Sequence, residues 1–339
     1  ENLLRILPGA FARIFYSDDG STSTEVAIKI ALQYWWNKGE KQRNKVIALR
    51  NAYHGDTFGA MSVSDRSVFT QAFQEKLFEV IFIDAPDSAS IDAALAGITH
   101  QEVACFIYEP LVQGAGGMIM YDAAGLDKLL QALHRHNIIC IADEVMTGFG
   151  RTGKLFASEY LTEKPDIICL SKGLTGGTLP LGVTACTDAI YQAFNAEDKL
   201  KTFFHGHSFT ANPLACAAAL ASLELLEHPS CLEQIQTITK HNSQFVATLK
   251  TDTAIAHAIK NVRSLGTILA FEVVTGNDGY LNAISTDITK RALEKGVYLR
   301  PLGNTVYIMP PYCITVQQLQ LLYEVIREIV AEVVVQTAK

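Results

Sequence analysis

An acidic and a basic side chain each follow an apolar segment, and the two segments lie close together in the chain. Asp143 comes directly after the apolar run 138–142, and Lys172 follows the apolar run 167–170. A carboxylate at the end of a buried strand can keep a ring nitrogen protonated, and a desolvated lysine amine can bond covalently to an aldehyde. These are the groups that an enzyme needs to hold pyridoxal phosphate (PLP).

Each of these residues also has an ordinary structural interpretation. Asp143 could cap the loop after its strand, and Lys172 could be a solvated side chain. The apolar approach to Lys172 and its glycine-rich exit (173–177) favour an amine held in a crowded pocket. Open α/β folds bind ligands at the carboxyl edge of the sheet, where we expect Asp143 to lie. Tyr53 follows the predicted strand 46–50 and could stack on a flat cofactor, although, taken by itself, ordinary packing is the better explanation.

A candidate phosphate site precedes the first long helical segment. Gly20 and Ser21 stand before a helical run, and Glu25 is placed as a capping-box partner. Backbone N–H groups and a hydroxyl at a helix N-terminus stabilise a phosphate. By itself the pattern is typical of a simple helix cap, so the phosphate interpretation depends on Asp143 and Lys172.

Composition and charge exclude several classes of protein. The chain of 339 residues is 49% hydrophobic and carries 28 basic against 35 acidic residues, a net charge of −7. No block of Lys and Arg indicates a nucleic-acid site, and no apolar stretch of about 18 residues indicates a membrane span. The first residues lack the pattern of a signal peptide. We therefore expect a soluble, cytoplasmic enzyme that binds neither nucleic acid nor membrane.

The cysteines and histidines give no indication of a metal site. Seven cysteines form no C-x-x-C pair and lie mostly in apolar runs, as reduced, buried thiols do. His205 and His207 flank a glycine, but two histidines without a nearby cysteine or acid fall short of the usual three or four ligands. We therefore expect neither a disulfide nor a bound metal.

Short β-branched runs alternate with helical patterns over the first two-thirds of the chain. The predicted strands are 46–50, 80–84, 103–109, 138–143, 166–171 and 182–186, and the clearest predicted helices are 22–38 and 122–136. Strands that are buried on both faces between helices predict an α/β fold around a mostly parallel sheet.

The pattern changes after an alanine-rich helix at 212–227. The later part of the chain has a long amphipathic segment (231–250), the segment 264–274, a helix (287–295), short strands at 297–300 and 306–309, and a last helix from Thr315. This order predicts a smaller C-terminal α+β domain. We expect a large domain over residues 1–225 and a small domain over 226–339.

Long blocks of the sequence resemble the class III (subgroup II) aminotransferases of fold type I, over essentially the whole chain. The blocks stand in the family's order: YHGDTFGAMSV (53–63), DEVMTGFGRTG (143–153), SKG (171–173) and HGHSFTANP (205–213). The resemblance implies PLP as cofactor, a mostly parallel sheet of the seven-stranded type flanked by helices, and a homodimer with shared active sites.

The resemblance also implies roles for individual residues. Lys172 matches the lysine that binds the cofactor covalently, Asp143 the partner of its ring nitrogen, and Tyr53 the aromatic that stacks on the ring; we treat these three as catalytic. Ser208 matches a residue that reaches the phosphate of the neighbouring subunit, and a glycine and a serine form the phosphate cup. The cofactor-binding positions implied in this way are Gly20, Ser21, Tyr53, Glu109, Asp143, Val145, Lys172 and Ser208.

The substrate-binding positions implied by the resemblance are Tyr53, Gly206, Arg300 and Tyr307. Arg300 matches an arginine that receives a substrate carboxylate, and Tyr307 lines the cleft nearby. Within the family the chain most resembles the branch that transfers an amino group from S-adenosylmethionine to 8-amino-7-oxononanoate, giving 7,8-diaminononanoate in biotin biosynthesis. The markers of that branch include QGAGGM (113–118) and LRPLGNTVYIMPPY (299–312).

Two departures bear on this narrower resemblance. Many class III enzymes carry a glutamine where Met146 stands here, and a thioether cannot replace its hydrogen bond to the cofactor; members of the biotin branch also tend to lack that glutamine. Family members carry several dozen residues before the position of Glu1, so we expect this chain to hold only part of the substrate pocket. The alternative is another class III ω-amino-acid transaminase, of the 4-aminobutyrate or ornithine type, or an aminomutase of the same fold.

Overall fold

The computed structural model describes residues 1–87, 89–274 and 282–337, which divide into two compact units. The first unit comprises Glu1–Phe149 and Phe156–Leu225, and the second comprises Gly150–Leu155 and Leu226–Lys339. Residues 150–155 therefore belong to the second unit, although the expected division placed them in the large domain.

Helices and strands alternate through the first unit. Its helices are α1 (Asn2–Ile6), α2 (Gly20–Asn37), α3 (Phe58–Val63), α4 (Ile91–Leu95), α5 (Ala123–Arg135), α6 (Asp188–Gln192) and α7 (Pro213–Glu227), which crosses into the second unit at its end. Its strands are β1 (Phe11–Ser17), β2 (Lys45–Leu49), β3 (Ile81–Ile83), β4 (Val103–Tyr108), β5 (Val112–Gln113), β6 (Ile119–Met120), β7 (Ile139–Asp143), β8 (Ile167–Leu170) and β9 (Gly182–Thr187).

Seven of these strands form one sheet in the order β1-β9-β8-β7-β4-β2-β3. The five strands from β8 to β3 are parallel, whereas β9 runs antiparallel to both β8 and β1. Every residue of β4, β7 and β8 is buried, as expected for strands covered by helices on both faces. The predicted α/β fold with a mostly parallel sheet is confirmed.

The edge strand β1 was not predicted. Its sequence, FARIFYS, is only partly buried and contains no continuous apolar run, because an edge strand has a neighbour on one side only. Pairing with β9 in register from Ile14↔Ala185 to Ser17↔Gly182 holds it in the sheet.

The second unit is an α+β structure, as predicted. Its elements are α8 (Pro229–Thr251), β10 (Ile259–Leu265), β11 (Ile268–Val273), α9 (Ile284–Glu294), β12 (Thr305–Ile308) and α10 (Val316–Thr337). The strands form an antiparallel sheet in the order β10-β11-β12. Phe245, Phe271, Ile308 and Ile326 are among the side chains of its buried core.

The predicted strand at 297–300 is wrong. The segment after α9 joins no ladder, because α9 holds it instead. Val297 N–H donates to the carbonyl of Ala292 at 2.9 Å, and the carbonyl of Leu299 accepts from the Thr289 hydroxyl at 2.9 Å. These bonds use the backbone groups that a neighbouring strand would need.

Among the described residues, no helix is long and apolar enough to cross a membrane.

Candidate active site

The start of α2 is capped by Asp19, one residue before Gly20. The Asp19 carboxylate accepts from the Thr22 N–H at 2.8 Å, and the Thr22 hydroxyl accepts from the Asp19 N–H at 3.0 Å. The prediction that Glu25 completes the capping box is therefore wrong. Gly20 and Ser21 are the first two residues of the helix, and their N–H groups have no acceptor within the helix.

The Glu25 carboxylate instead joins α2 to the start of α3. It accepts from the Thr57 hydroxyl at 2.6 Å and from the Ala60 N–H at 3.1 Å. The Ser21 hydroxyl accepts from the Asp56 N–H at 3.0 Å. The loop after β2 is thus attached to the first two turns of α2.

Two glycines bring three segments to the same place. A Cβ atom at Gly20 would lie 2.7 Å from Cγ1 of Val145, and a Cβ atom at Gly55 would lie 2.3 Å from the Ser21 hydroxyl oxygen. Gly55 also has a φ of +131°, which other residues rarely adopt. The helix start, the loop after β2 and the loop after β7 therefore meet at the carboxyl edge of the sheet, where Asp143 ends β7.

Asp143 is buried, with 5% of its surface exposed, and both of its oxygens have partners. Oδ1 accepts from the Val145 N–H at 3.1 Å, and a hydrogen bond of 2.7 Å joins Oδ2 to Nδ1 of His54. His54 is itself buried, and its backbone N–H donates to the Ser64 hydroxyl. This carboxylate is held in one orientation and can accept a further hydrogen bond from a ring N–H.

Sequence reasoning missed His54. It follows Tyr53 directly, inside the YHG block, but nothing in its spacing connects it to a carboxylate 89 residues later. Its burial and its contact with Asp143 depend on the parallel neighbours β2, β4 and β7.

Glu109 follows β4 and is also buried. Its two oxygens accept from the N–H groups of Tyr53 at 3.1 Å and Gly114 at 2.9 Å. Burial raises the pKa of this carboxyl to about 7, with the Asp143 charge acting in the same direction and His54 opposing it. Glu109 therefore fixes the backbone of Tyr53 and can hold a proton at neutral pH.

Tyr53 is half-buried, and its ring stands edge-on to Phe69, with centroids 6.2 Å apart. Burial and a hydrogen bond to Asp56 raise the pKa of its phenol, which stays protonated at neutral pH. Met146 packs on Gly114, since a Cβ atom there would lie 2.4 Å from the Met146 sulfur.

Lys172 follows β8, the parallel neighbour of β7, and it is exposed in this chain, whereas the sequence predicted an amine held in a crowded pocket. Its φ of +43° is unusual for a residue with a side chain. The preceding Ser171 is anchored by a hydrogen bond of 2.8 Å from its hydroxyl to the Leu181 carbonyl, and Gly173 packs against Phe149. A strained backbone held in place by its surroundings is typical of functional positions.

Gly206 and Ser208 lie in an exposed loop of the first unit. A contact of 2.8 Å between Nδ1 of His205 and Nζ of Lys29 anchors this loop to α2. His207, which has no role in the sequence-based predictions, lies 3.4 Å from the carboxylate of Asp18 and makes no hydrogen bond to it. The loop therefore lies beside the N-terminus of α2.

Arg300 and Tyr307 belong to the second unit. Arg300 is exposed and follows the buried Leu299, whereas Tyr307 lies in β12, half-buried and paired with Ala270 of β11. The contacts described above bring together Gly20, Ser21, Tyr53, Glu109, Asp143 and Val145 within the first unit.

The sequence matches the family of class III aminotransferases over residues 1–330. It is 43% identical to an adenosylmethionine-8-amino-7-oxononanoate aminotransferase of Synechococcus elongatus, with 98% of this chain and 79% of the relative covered.

Two solved structures resemble this one closely. The crystal structure of an adenosylmethionine-8-amino-7-oxononanoate aminotransferase from Methanocaldococcus jannaschii superposes with a TM-score of 0.90 at 37% identity, covering 97% of this chain and 77% of the other. An amine transaminase from an uncultivated Pseudomonas species, solved in its PLP-bound form, gives a TM-score of 0.87 at 32% identity, covering 95% and 77%. The chain belongs to the class III aminotransferases, which are PLP enzymes of fold type I.

Proposed function

We propose that this enzyme transfers an amino group from S-adenosylmethionine to 8-amino-7-oxononanoate in the cytoplasm, giving 7,8-diaminononanoate for biotin biosynthesis. The substrates are those named for the relatives in Synechococcus elongatus and Methanocaldococcus jannaschii. The observation that carries the chemistry is the buried Asp143 carboxylate, oriented by His54 beside the N-terminus of α2.

The residues present fit PLP at this edge of the sheet. Gly20 and Ser21 offer a hydroxyl and two N–H groups that have no acceptor within α2, and the positive end of the α2 dipole favours a phosphate there. Gly20 and Gly55 leave no room for a Cβ atom, so the three segments approach as closely as a phosphate cup requires. Asp143 keeps one face of its carboxylate for a ring N–H.

Asp143 and Lys172 carry the proton chemistry of the proposal. When bound, PLP supplies a ring that accepts electron density from the substrate carbon next to the amine. Asp143 holds a proton on the ring nitrogen, which keeps the ring positively charged. Lys172 would hold the cofactor through a covalent bond to its carbonyl carbon, and the amine of Lys172 would be the base that moves the proton at the substrate carbon.

The remaining residues position the cofactor and the substrates. We assign Tyr53 and Val145 to the faces of the ring, and Glu109 to the support of Tyr53 through its backbone N–H. Arg300 is assigned to the carboxylate of 8-amino-7-oxononanoate, since a guanidinium fork matches a carboxylate. Tyr307 and Gly206 are each assigned a contact with the substrates, as the family resemblance implies.

We also propose a homodimer in which Ser208 contacts the cofactor phosphate of the partner subunit. Large apolar side chains stand exposed around the loop that carries it: Phe204, Phe209 and Leu214 are each about 70% exposed. Exposed apolar side chains clustered in one segment are typical of a surface covered by a partner.

The donor is tested by the half-reaction. Purified PLP-bound enzyme is mixed separately with S-adenosylmethionine, 4-aminobutyrate and ornithine, and loss of the visible absorbance of the lysine-bound cofactor is followed by stopped flow. We expect S-adenosylmethionine to react fastest, and 8-amino-7-oxononanoate then to restore the original absorbance with formation of 7,8-diaminononanoate. A faster reaction with either other amine would place the enzyme among the ω-amino-acid transaminases.

The shared site is tested by mixing two inactive variants. Lys172→Ala and Ser208→Trp alter different sides of the proposed site, so a mixed dimer would hold one active site that carries neither substitution. We expect activity to reappear on subunit exchange, up to roughly a quarter of the wild-type value from random pairing. A cofactor-loaded, active monomer in sedimentation, or no recovery from the mixture, would contradict the shared site.

A further inference from the structure

A cluster of metal-ligating side chains lies at the opposite edge of the main sheet from Asp143. His134 is in the last turn of α5, Cys140 is the second residue of β7, and Asp166 directly precedes β8. One ligand atom from each lies within 4.8 Å of the other two. Cys140 and Asp143 are three residues apart on one strand, so the two sites are separated by about 10 Å.

The distance between the nitrogen and oxygen ligand atoms suits a small tetrahedral cation. Nε2 of His134 lies 3.3 Å from Oδ2 of Asp166. Zinc bonds of about 2.0–2.2 Å to nitrogen and oxygen, at a tetrahedral angle, separate the two ligand atoms by about 3.3–3.5 Å. The Cys140 sulfur lies 3.7 Å from the Ile138 carbonyl and makes only a weak contact there, so it is available to a stronger partner.

A carboxylate also orients the imidazole. Nδ1 of His134 lies 3.1 Å from Oε2 of Glu163, while the buried Nε2 faces Oδ2 of Asp166, which also accepts from the Cys140 N–H at 2.8 Å. Metal-binding histidines commonly donate their other N–H to a carboxylate, which fixes the ring and directs the free nitrogen at the ion. Here that nitrogen faces a thiol and a carboxylate.

From this arrangement we propose that His134, Cys140 and Asp166 bind a Zn²⁺ ion, with Glu163 orienting His134. Cys140 is completely buried, which leaves no access for a substrate, so the ion is structural and joins α5 to the starts of β7 and β8. Among the residues that the structure describes, this is the one group of three such side chains close enough to hold a metal.

Spacing along the chain explains why the sequence did not indicate this site. The three ligands come from a helix, a strand and a loop at positions 134, 140 and 166, so they form no compact motif of the kind that predicts zinc. The fold, and not the local sequence, brings them together.

Cobalt titration of the full-length, PLP-bound protein tests the proposal, after removal of metals with a chelator. Co²⁺ should bind with one ion per chain and produce a thiolate-to-cobalt charge-transfer band, and Zn²⁺ should displace it. Cys140→Ala should abolish the band, and His134→Gln should weaken binding more than a hundredfold. Glu163→Gln should weaken it about tenfold to a hundredfold, because it disturbs only the support of a ligand.

A matched control separates this site from cysteine in general. Cys105, on the adjacent strand β4, is as buried as Cys140 but belongs to no such cluster, so Cys105→Ala should leave the cobalt spectrum unchanged. If Cys140→Ala fails to fold, His134→Gln still tests the site by its cobalt affinity, because His134 is a partly exposed residue of a helix. If wild-type protein binds no stoichiometric Co²⁺, or if the band survives in Cys140→Ala, the cluster is a protonated histidine between two carboxylates and the proposal is overturned.

Discussion

Replacing Gly20 by alanine should reveal how tightly the proposed phosphate cup is packed. A Cβ atom there would lie 2.7 Å from Cγ1 and 3.2 Å from Cγ2 of Val145, whereas carbon atoms pack best at about 3.5–4.0 Å. Crowding of this kind costs about 1–3 kcal/mol. Without this crowding, alanine would stabilise the helix by up to about 1 kcal/mol relative to glycine. The clash with Val145 therefore decides whether Gly20→Ala lowers or raises the free energy of unfolding.

The companion substitution Val145→Ala removes the two methyl carbons that lie closest, and leaves only Cβ of residue 145 at 3.5 Å, an ordinary contact distance. In that background we expect Gly20→Ala to be neutral or to stabilise by up to about 1 kcal/mol, a coupling of about 1–3 kcal/mol in the double-mutant cycle. Urea unfolding of the four cofactor-free proteins measures the cycle, and PLP titration reports the same coupling as a change in affinity. Equal effects of Gly20→Ala in both backgrounds would refute the reasoning from contact.

Three further substitutions test the rest of the site. Lys172→Ala should lack the visible absorbance of lysine-bound PLP until an external amine is added; a borohydride-reducible lysine adduct in this variant would disprove its role. Asp143→Asn should retain the cofactor and lose most turnover, because an amide cannot hold the ring nitrogen's positive charge, and turnover within tenfold of wild type would refute this. The Glu109 pKa of about 7 lies above the ordinary value of 4.5, so the charged form is disfavoured in the fold. Wild type should therefore lose unfolding free energy relative to Glu109→Gln as the pH rises from about 4.5 to 7, by roughly 1.4 kcal/mol per unit of pKa difference, and a pH-independent difference would exclude this.

The sequence predicted those parts of the fold that depend on local hydrophobic patterns. The central strands are continuous apolar runs, so the sheet and the placement of Asp143 at its edge could be inferred from the chain itself. The roles proposed for Ser208, Arg300 and Tyr307 come from the family resemblance, since no pattern of their own indicates them.

The features that escaped prediction depend on tertiary contacts. His54 contacts the Asp143 carboxylate, which ends a strand two positions away in the sheet. Glu25 contacts a loop that folds back on its own helix. The segment 297–300 has strand-forming residues, but its backbone groups form hydrogen bonds with α9 instead of with a neighbouring strand. Periodicity cannot detect such competition between partners.

The bridge made by Glu25 has a consequence for how the cofactor site can change shape. One carboxylate holds the hydroxyl of Thr57 and the N–H of Ala60, and Glu25 stands five residues after Gly20 on the same helix. A tilt of α2 would therefore move the Tyr53 loop with it, so the proposed ring-binding surface and the proposed phosphate cup would keep a constant spacing. A new loop at 53–57 that lacked the Thr57 hydroxyl would lose this connection. It should therefore bind more weakly any ligand that contacts both parts.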